Sequence, residues 1–455
     1  MTTLSSKFFE IVDDLDLFKF GDFNLFNLFY TKYIVRDFDQ EGYRKKVSFD
    51  NYQKVFKSFL YIFSFFLKAI RFKLSKTKKG RILFMENSGR LSKVEGQVYN
   101  LYNGKIIEQK GIDNFILAQS FRNGVSDKFP AEFYLYDDLF LLWVIIKWIY
   151  SVIFSKRLQD YASKITKTYP QLKFSDNRVK STVSTFYGLY YSSRILLWFI
   201  EPREVFLTCH YGREFLIAAC KHQKLRVTEL MHGRIDEAHP NYNYPKHVSD
   251  YLKSSMFPDR LAVYGEYWKN QIIQGNLFSE DQIIVIGYYL KIPDIGQEPR
   301  PRSNKHTILI TTGWPVAKEI FEYIALLKQK LTKDNYEIII KPHSGDDPAY
   351  FDELLDSKFI HISKEDVYQL LNKASVHISV FSTVLYEAIR YDIPNYVLVV
   401  DQFRIECQAT VESGVAFPLE KTQLPDLDLK PNIPSEHFFA DYDPTVLFSD
   451  DKLHK

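Results

Sequence analysis

Between His306 and Val400, five short apolar runs alternate with stretches whose apolar residues recur every three or four positions. The runs are HTILITT from His306, YEIIIKPH from Tyr336, FIHIS from Phe359, SVHISV from Ser375 and NYVLVV from Asn395. Between the first two, Val316, Ile320, Ile324, Leu327 and Leu331 mark one face of a helix. EDVYQLLNKA and TVLYEAIRYD read as two more helices. Short apolar strands alternating with helices predict an α/β fold with a parallel, doubly wound sheet. The middle of the chain repeats the pattern more loosely, with strands expected at RILFME, NFILAQ, EVFLTC, RVTELM, RLAVYG and QIIVIG and helical material around Ser181–Phe199.

A chain of 455 residues exceeds one ordinary core. The expected division is a helical, aromatic-rich segment over 1–78, an α/β domain with a helical insertion over 79–285, a second α/β domain over 286–420, and an extended or poorly ordered tail over 421–455. Hydrophobic residues make up 46% and charged residues 25%, a globular composition, and the net charge of +3 is too balanced for a nucleic-acid partner. The three cysteines form no CxxC pair, which fits a reducing compartment. Met1–Phe18 lacks a basic and then apolar leader pattern, so no secretory leader is expected. Two stretches raise the question of a membrane: Lys57–Lys79, and Leu139–Arg157 with its central Lys147. A buried or interdomain helix, attachment to a bilayer surface and a true span are the three readings.

In open α/β sheets, ligands sit outside the carboxyl ends of the strands. In the second domain that edge gathers Gly313 and Trp314, then Lys341 and His343, then Ser382 and Thr383. Ser382 and Thr383 also open a helix, whose free N–H groups suit a phosphate, although plain capping would use the same residues. Glu387, one turn on, is placed to reach a ribose hydroxyl. No GxxxxGK[ST] and no GxGxxG occurs. In the first domain RVTELMHG places His232 at a strand's carboxyl edge, where a histidine suits general-base work. Asp236 and Glu237 are alternative bases. The prolines after His239 predict a stiff loop. Glu86, Ser88 and Arg90, after the first strand, would line the cleft from the other side as acceptor-binding residues, with His239. The histidine spacings match no common zinc site, so no metal is expected.

The run ELMHG, followed by HPNYNYP from His239 and FPDRLAVYGEYWK from Phe257, resembles bacterial capsule and lipopolysaccharide glycosyltransferases of the GT-B fold. Met231 stands where those relatives usually carry Gln. The back half, from KPHSGDD through SVFSTVLYEAIRYDIPNYVL, is similar to the donor domains of bacterial sialyltransferases, Kdo transferases and glycerophosphate polymerases, with Ser344 where their K-x-H-P motif has Pro. The resemblance spans roughly residues 80–415. It implies two Rossmann-like domains facing a cleft, a nucleotide-sugar donor as substrate, no cofactor and no metal. By position, it implies donor phosphate contacts at His343, Ser382 and Thr383, nucleoside contacts at Glu387 or the Gly313–Trp314 loop, and His232 near the acceptor hydroxyl. The expected activity is a cytoplasmic glycosyltransferase, peripheral on the inner membrane, extending a surface polysaccharide on a glycan or lipid-linked acceptor. The rivals are a sugar-nucleotide epimerase or hydrolase on the same fold and a non-catalytic polysaccharide-assembly protein.

Overall fold

The computed structural model describes residues 4–39, 51–75, 81–86, 91–94, 96–109, 115–121, 131–236, 239–252, 256–292, 305–313, 316–343, 346–380, 382–429 and 433–448. Its frame is two parallel sheets. The first contains β1 (Ile82–Glu86), β2 (Phe115–Gln119), β3 (Phe133–Tyr134), β4 (Glu204–Leu207), β5 (Arg226–Leu230), β6 (Arg260–Val263) and β7 (Ile283–Val285). Their order is β7-β6-β5-β4-β1-β2-β3. The second contains β8 (His306–Thr311), β9 (Tyr336–Lys341), β10 (Ile360–Ile362), β11 (Val376–Ser379), β12 (Asn395–Leu398) and β13 (Phe417–Leu419), in the order β10-β9-β8-β11-β12-β13.

Both orders run outward from a central first strand and then reverse, as in doubly wound Rossmann-like domains. The sequence explains the parallel pairing. β1, β4 and β11 are buried at every position, the mark of strands covered by helices on both faces. The reversal falls between β1 and β4 in the first sheet and between β8 and β11 in the second. Eleven of the thirteen strands coincide with the runs read from sequence; the edge strands β3 and β13 do not.

Twelve helices matter for the site and its surroundings. They are α1 (Leu4–Ile11), α2 (Phe26–Asp39), α3 (Asn51–Leu74), α4 (Phe140–Ile153), α5 (Ser155–Thr168), α6 (Asp176–Ile200), α7 (Glu214–His222), α8 (Glu266–Gln274), α9 (Ala317–Lys330), α10 (Val367–Lys373), α11 (Val384–Ala388) and α12 (Arg404–Glu412). The expected face of α9 is buried at Val316, Ile320, Ile324 and Leu327. The helical insertion is α4–α6, with α6 opened by Ser175, whose side chain accepts from the Arg178 N–H.

The N-terminal segment is integrated into the first domain. Phe8, Phe26 and Tyr30 are fully buried together, and the α2 residue Asn27 donates to Glu214 at the start of α7, 2.8 Å. The far end of the chain also returns to the first domain. The Ala440 N–H donates to the Tyr264 carbonyl (2.8 Å), the Asp443 N–H to that of Ile286 (3.0 Å), and Arg260 to that of Leu447 (3.1 Å). A tail rich in Pro and Asp was expected to be extended or poorly ordered. Residues 433–448 are instead fixed by backbone pairing that composition does not reveal. The close approach explains two glycines. A Cβ on Gly265 would lie 2.7 Å from the Phe438 carbonyl oxygen, and one on Gly287 (φ +76°) 2.0 Å from that of Asp441.

Candidate functional site

The sequence ELMHGRID leaves the first sheet at β5. Met231 still behaves as strand: its N–H donates to the Ala262 carbonyl at 2.9 Å, and its own carbonyl accepts from Tyr264 and Tyr289. Its side chain is wholly buried and faces the core. The chain then turns outward. His232 is partly exposed, its Nε2 3.0 Å from the Tyr211 hydroxyl and its carbonyl accepting from Tyr102 at 2.7 Å.

The next two residues meet the second domain. The Arg234 N–H donates to the Thr383 hydroxyl at 2.7 Å, and a Cβ on Gly233 would come within 3.0 Å of that same oxygen. The Arg234 guanidinium is buried between the domains. It donates to the Asp236 carboxylate and, at 2.8 Å, to the Glu406 carbonyl on α12. Burial opposes its charge, but Asp236 more than offsets this and raises its pKa. Asp236, expected as an alternative base, therefore has its carboxylate committed to a buried ion pair. Glu237 lies outside the described residues.

His239 stands at the head of a loop held by its own hydrogen bonds. Its carbonyl accepts from the N–H groups of Tyr242 and Asn243 and from the Asn243 amide, and its Nδ1 accepts from the Asn241 N–H at 3.3 Å. Burial holds its pKa down to about 4, so it is neutral near pH 7. The α2 residue Tyr30 donates to the Pro240 carbonyl at 2.7 Å and supports the loop from behind. The prolines thus act together with a brace from a segment two hundred residues away.

Beneath His232 lies a cluster that the strand-edge rule, applied to β4, would have found. His210, three residues past β4, is completely buried. Its Nδ1 lies 2.8 Å from Glu229 Oε2, and its backbone N–H donates to Oε1 at 3.1 Å. Tyr242 donates to the same Oε1 at 2.5 Å. Nε2 of His210 has no hydrogen-bond partner among the described residues. Glu86 ends β1 at the reversal point, buried, with Thr208 donating to it at 3.4 Å. Arg213 donates to Ser120 beside it at 3.0 Å. Ser88 and Arg90 lie outside the described residues.

The second sheet presents a more open edge. His343 is exposed at the end of β9, its N–H donating to Thr312 (3.1 Å) and to the Asp346 carboxylate (3.0 Å). Asp347 caps a 3₁₀ turn, Pro348–Leu354, whereas its neighbour Asp346 turns inward, accepts from Thr312, and has its pKa raised by burial. Lys341 is half-buried, its pKa lowered by that burial, and Nζ donates to the Glu365 carbonyl at 2.6 Å. Gly313 follows β8, and Trp314 lies outside the described residues. Ser382 is partly exposed, its hydroxyl accepting from the Val384 N–H at 3.2 Å.

Thr383 and Glu387 are each engaged by a residue that follows a strand of the first sheet. Thr383 accepts from Arg234. Glu387 is 3% exposed and accepts from Tyr288 (3.2 Å), just past β7, and from Tyr368 (3.1 Å) on α10. Burial pushes its pKa up to about 7. In this arrangement the Thr383 hydroxyl is already engaged and Glu387 is buried, whereas His343 is exposed and Ser382 partly so. No group of three or more His, Cys, Asp or Glu side chains able to share a metal ion occurs among the described residues.

No family model matches the sequence, and no curated protein does. Among solved structures, the chain is similar to a variant of the wall teichoic acid polymerase TagF, at 15% identity and a TM-score of 0.45, over 90% of this chain and 98% of that one. A UDP-GlcNAc 2-epimerase from Methanocaldococcus jannaschii is similar at 13% and 0.47, over 82% and 99%. The calicheamicin glycosyltransferase CalG4 is similar at 13% and 0.44, over 77% and 87%. These likenesses are distant, and the site is read from its own side chains.

Proposed function

We propose that the protein is a metal-independent glycosyltransferase that moves a sugar from a nucleotide-sugar donor to a growing bacterial surface polysaccharide, capsule or lipopolysaccharide. The observation that carries this reading is the 2.7 Å hydrogen bond from the Arg234 N–H to Thr383. It sets the turn bearing His232, at the carboxyl edge of the first sheet, against the carboxyl edge of the second. A transferase of two substrates needs that juxtaposition: an acceptor hydroxyl beside a base on one side, and a departing nucleotide on the other.

In this reading the donor phosphates lie against His343 and Ser382, with Gly313 and Lys341 beside them. Opening of the domains exchanges the Thr383–Arg234 and Glu387–Tyr288 contacts for contacts with the nucleotide. His232 takes the proton of the acceptor hydroxyl, and Tyr211, 3.0 Å from its Nε2, fixes the ring. The oxygen attacks the anomeric carbon, the bond to the nucleotide breaks, and charge developing on the phosphate is met by N–H groups and basic side chains. Glu86 and His239 border the acceptor side.

Titration with CMP, CDP, UDP and GDP while melting is followed tests the reading, because a ligand of the native state must raise its apparent stability. One nucleotide is expected to stabilise the protein clearly; silence from all four would remove the donor site. Incubation with the matching nucleotide-sugar alone separates the rival reading, since rapid epimerisation or hydrolysis without acceptor would make the chain an epimerase or hydrolase.

A further inference from the structure

A surface helix of a globular protein turns one apolar stripe inward and a polar face outward. α3 does not. Its inner face packs on α6 and β3, with Phe65 and Ala69 fully buried and the Phe65 ring 5.8 Å from that of Phe133. Its outer face is apolar as well: Phe63 is 66% exposed, Leu67 55%, Ile70 47% and Leu74 77%. α4 lies beside α3 and repeats the arrangement. Tyr150 is buried against Tyr187, while Trp148 (65%), Val152 and Ile153 face out. Trp198, near the end of α6, is also exposed. Along α3 the outer ridge from Phe59 to Leu74 runs about 22 Å at ~1.5 Å per residue. An apolar face spread over three helices exceeds what a monomer ordinarily leaves in water.

The charges carried by these helical stretches are positive. From Phe59 to Ser75 the chain carries Lys68, Arg71 and Lys73 and no Asp or Glu; from Phe140 to Leu158 it carries Lys147, Lys156 and Arg157 and again no acid. Arg71 and Lys156 are exposed. The acids that flank these stretches are Asp137 and Asp138 before α4, Asp160 on α5 and Glu201 after α6; Glu201 is ion-paired with Lys73, whose ammonium also sits 4.2 Å from the centre of the Trp198 ring. Among the described residues no helix is long and apolar enough to cross a membrane, and α3 and α4 are tied to the fold along their inner faces.

We infer that the outer faces of α3 and α4, with Trp198, lie flat on an anionic phospholipid bilayer. The apolar side chains enter the boundary between headgroups and acyl chains, and Arg71 and Lys156 engage the phosphates. A protein partner would be expected to bring mixed charge and hydrogen bonds; an apolar face whose own helical stretches carry cations and no acids complements anionic lipid. The inference stands without the catalytic reading, because binding to vesicles is measured with no substrate present.

The full chain is sedimented with vesicles of phosphatidylcholine and with vesicles of equal parts phosphatidylcholine and phosphatidylglycerol. Binding to the mixed vesicles is expected to be about tenfold tighter or more, and to weaken with added salt. Phe63→Glu with Trp148→Glu should abolish binding to both vesicles; should that pair fail to fold, Leu67→Gln with Trp148→Gln is read instead and should weaken it strongly. Arg71→Glu with Lys156→Glu should erase the preference for the anionic vesicles. Absence of binding by the native chain, or binding untouched by the apolar substitutions, overturns the inference. So does a dimer in sedimentation velocity that those substitutions dissolve in a chain that ignores vesicles, which would assign the face to a second copy.

Discussion

At the carboxyl edge of the first sheet, His210 and Glu229 are wholly buried, locked to each other and to Tyr242, and His232 is braced by Tyr211. At the carboxyl edge of the second sheet, His343 is exposed, Ser382 partly so, and Lys341 donates to a carbonyl. One edge is assembled before any ligand arrives; the other exposes groups that a ligand could complete. A preformed edge suits an element that must hold a base in a fixed direction. An open edge would suit the nucleotide of the proposed reaction, for which the contacts of Thr383 and Glu387 would have to give way.

The contrast can be broken at several points. His232→Ala should lower transfer by ~10²–10⁴-fold while leaving the melting temperature in place; turnover near that of the native chain takes His232 out of the mechanism. Glu229→Ala removes the acceptor of three buried donors and should cost about 3–5 kcal/mol in urea unfolding. A loss below roughly 1 kcal/mol would mean that the first edge is not locked in the way its hydrogen bonds indicate. His343→Ala should leave unfolding within about 0.5 kcal/mol, because the side chain is exposed, and weaken nucleotide binding about tenfold. Equal affinity of the two proteins would move the donor site elsewhere on the edge.

Glu387 sharpens the comparison through pH. Its pKa rises on folding from 4.5 to about 7, so the folded state holds the proton more tightly than the unfolded chain. The stability this contributes is full below about pH 4.5 and is lost as pH rises through about 7. Glu387→Gln should therefore flatten that part of the melting-temperature profile, and an unchanged slope would assign the pH dependence to other groups. The smallest effect is expected from Gly233→Ala. Its added methyl must displace the Thr383 hydroxyl by a few tenths of an ångström, so a loss of about 1 kcal/mol or less is expected in urea unfolding. A larger loss would show that the interface tolerates no displacement there.

The frame was legible because buried parallel strands are nearly continuous apolar runs; His306–Thr311 and Asn395–Leu398 announce themselves by that alone. β3 was hidden because it has only two residues, and β13 because Pro418 interrupts it, whereas the equally marginal edge strands β7 and β10 lie within the longer runs QIIVIG and FIHIS. The place at a sheet's carboxyl edge was legible for polar residues two or three positions past a strand, as with His232, His343 and Ser382. The site was opaque where the partner is distant in sequence. Nothing in DEAHPNY tells Asp236 that Arg234 will be driven into an interface, or tells Thr383 that a backbone N–H from 149 positions away will take its hydroxyl. His210 went unread because Thr208 and Cys209 prolong the apolar run and disguise where β4 stops.

The return of residues 433–448 to the first sheet bears on how the chain is made. The ribosome completes the α/β units of the first domain before it begins those of the second, and domains generally fold as they emerge. Yet the backbones of Tyr264 and Ile286 find their partners at Ala440 and Asp443, more than 150 residues downstream. The earlier domain is thus closed last, by a segment that leaves the ribosome only after the later domain has been made. Gly265 and Gly287 keep the seat for that segment clear in the meantime.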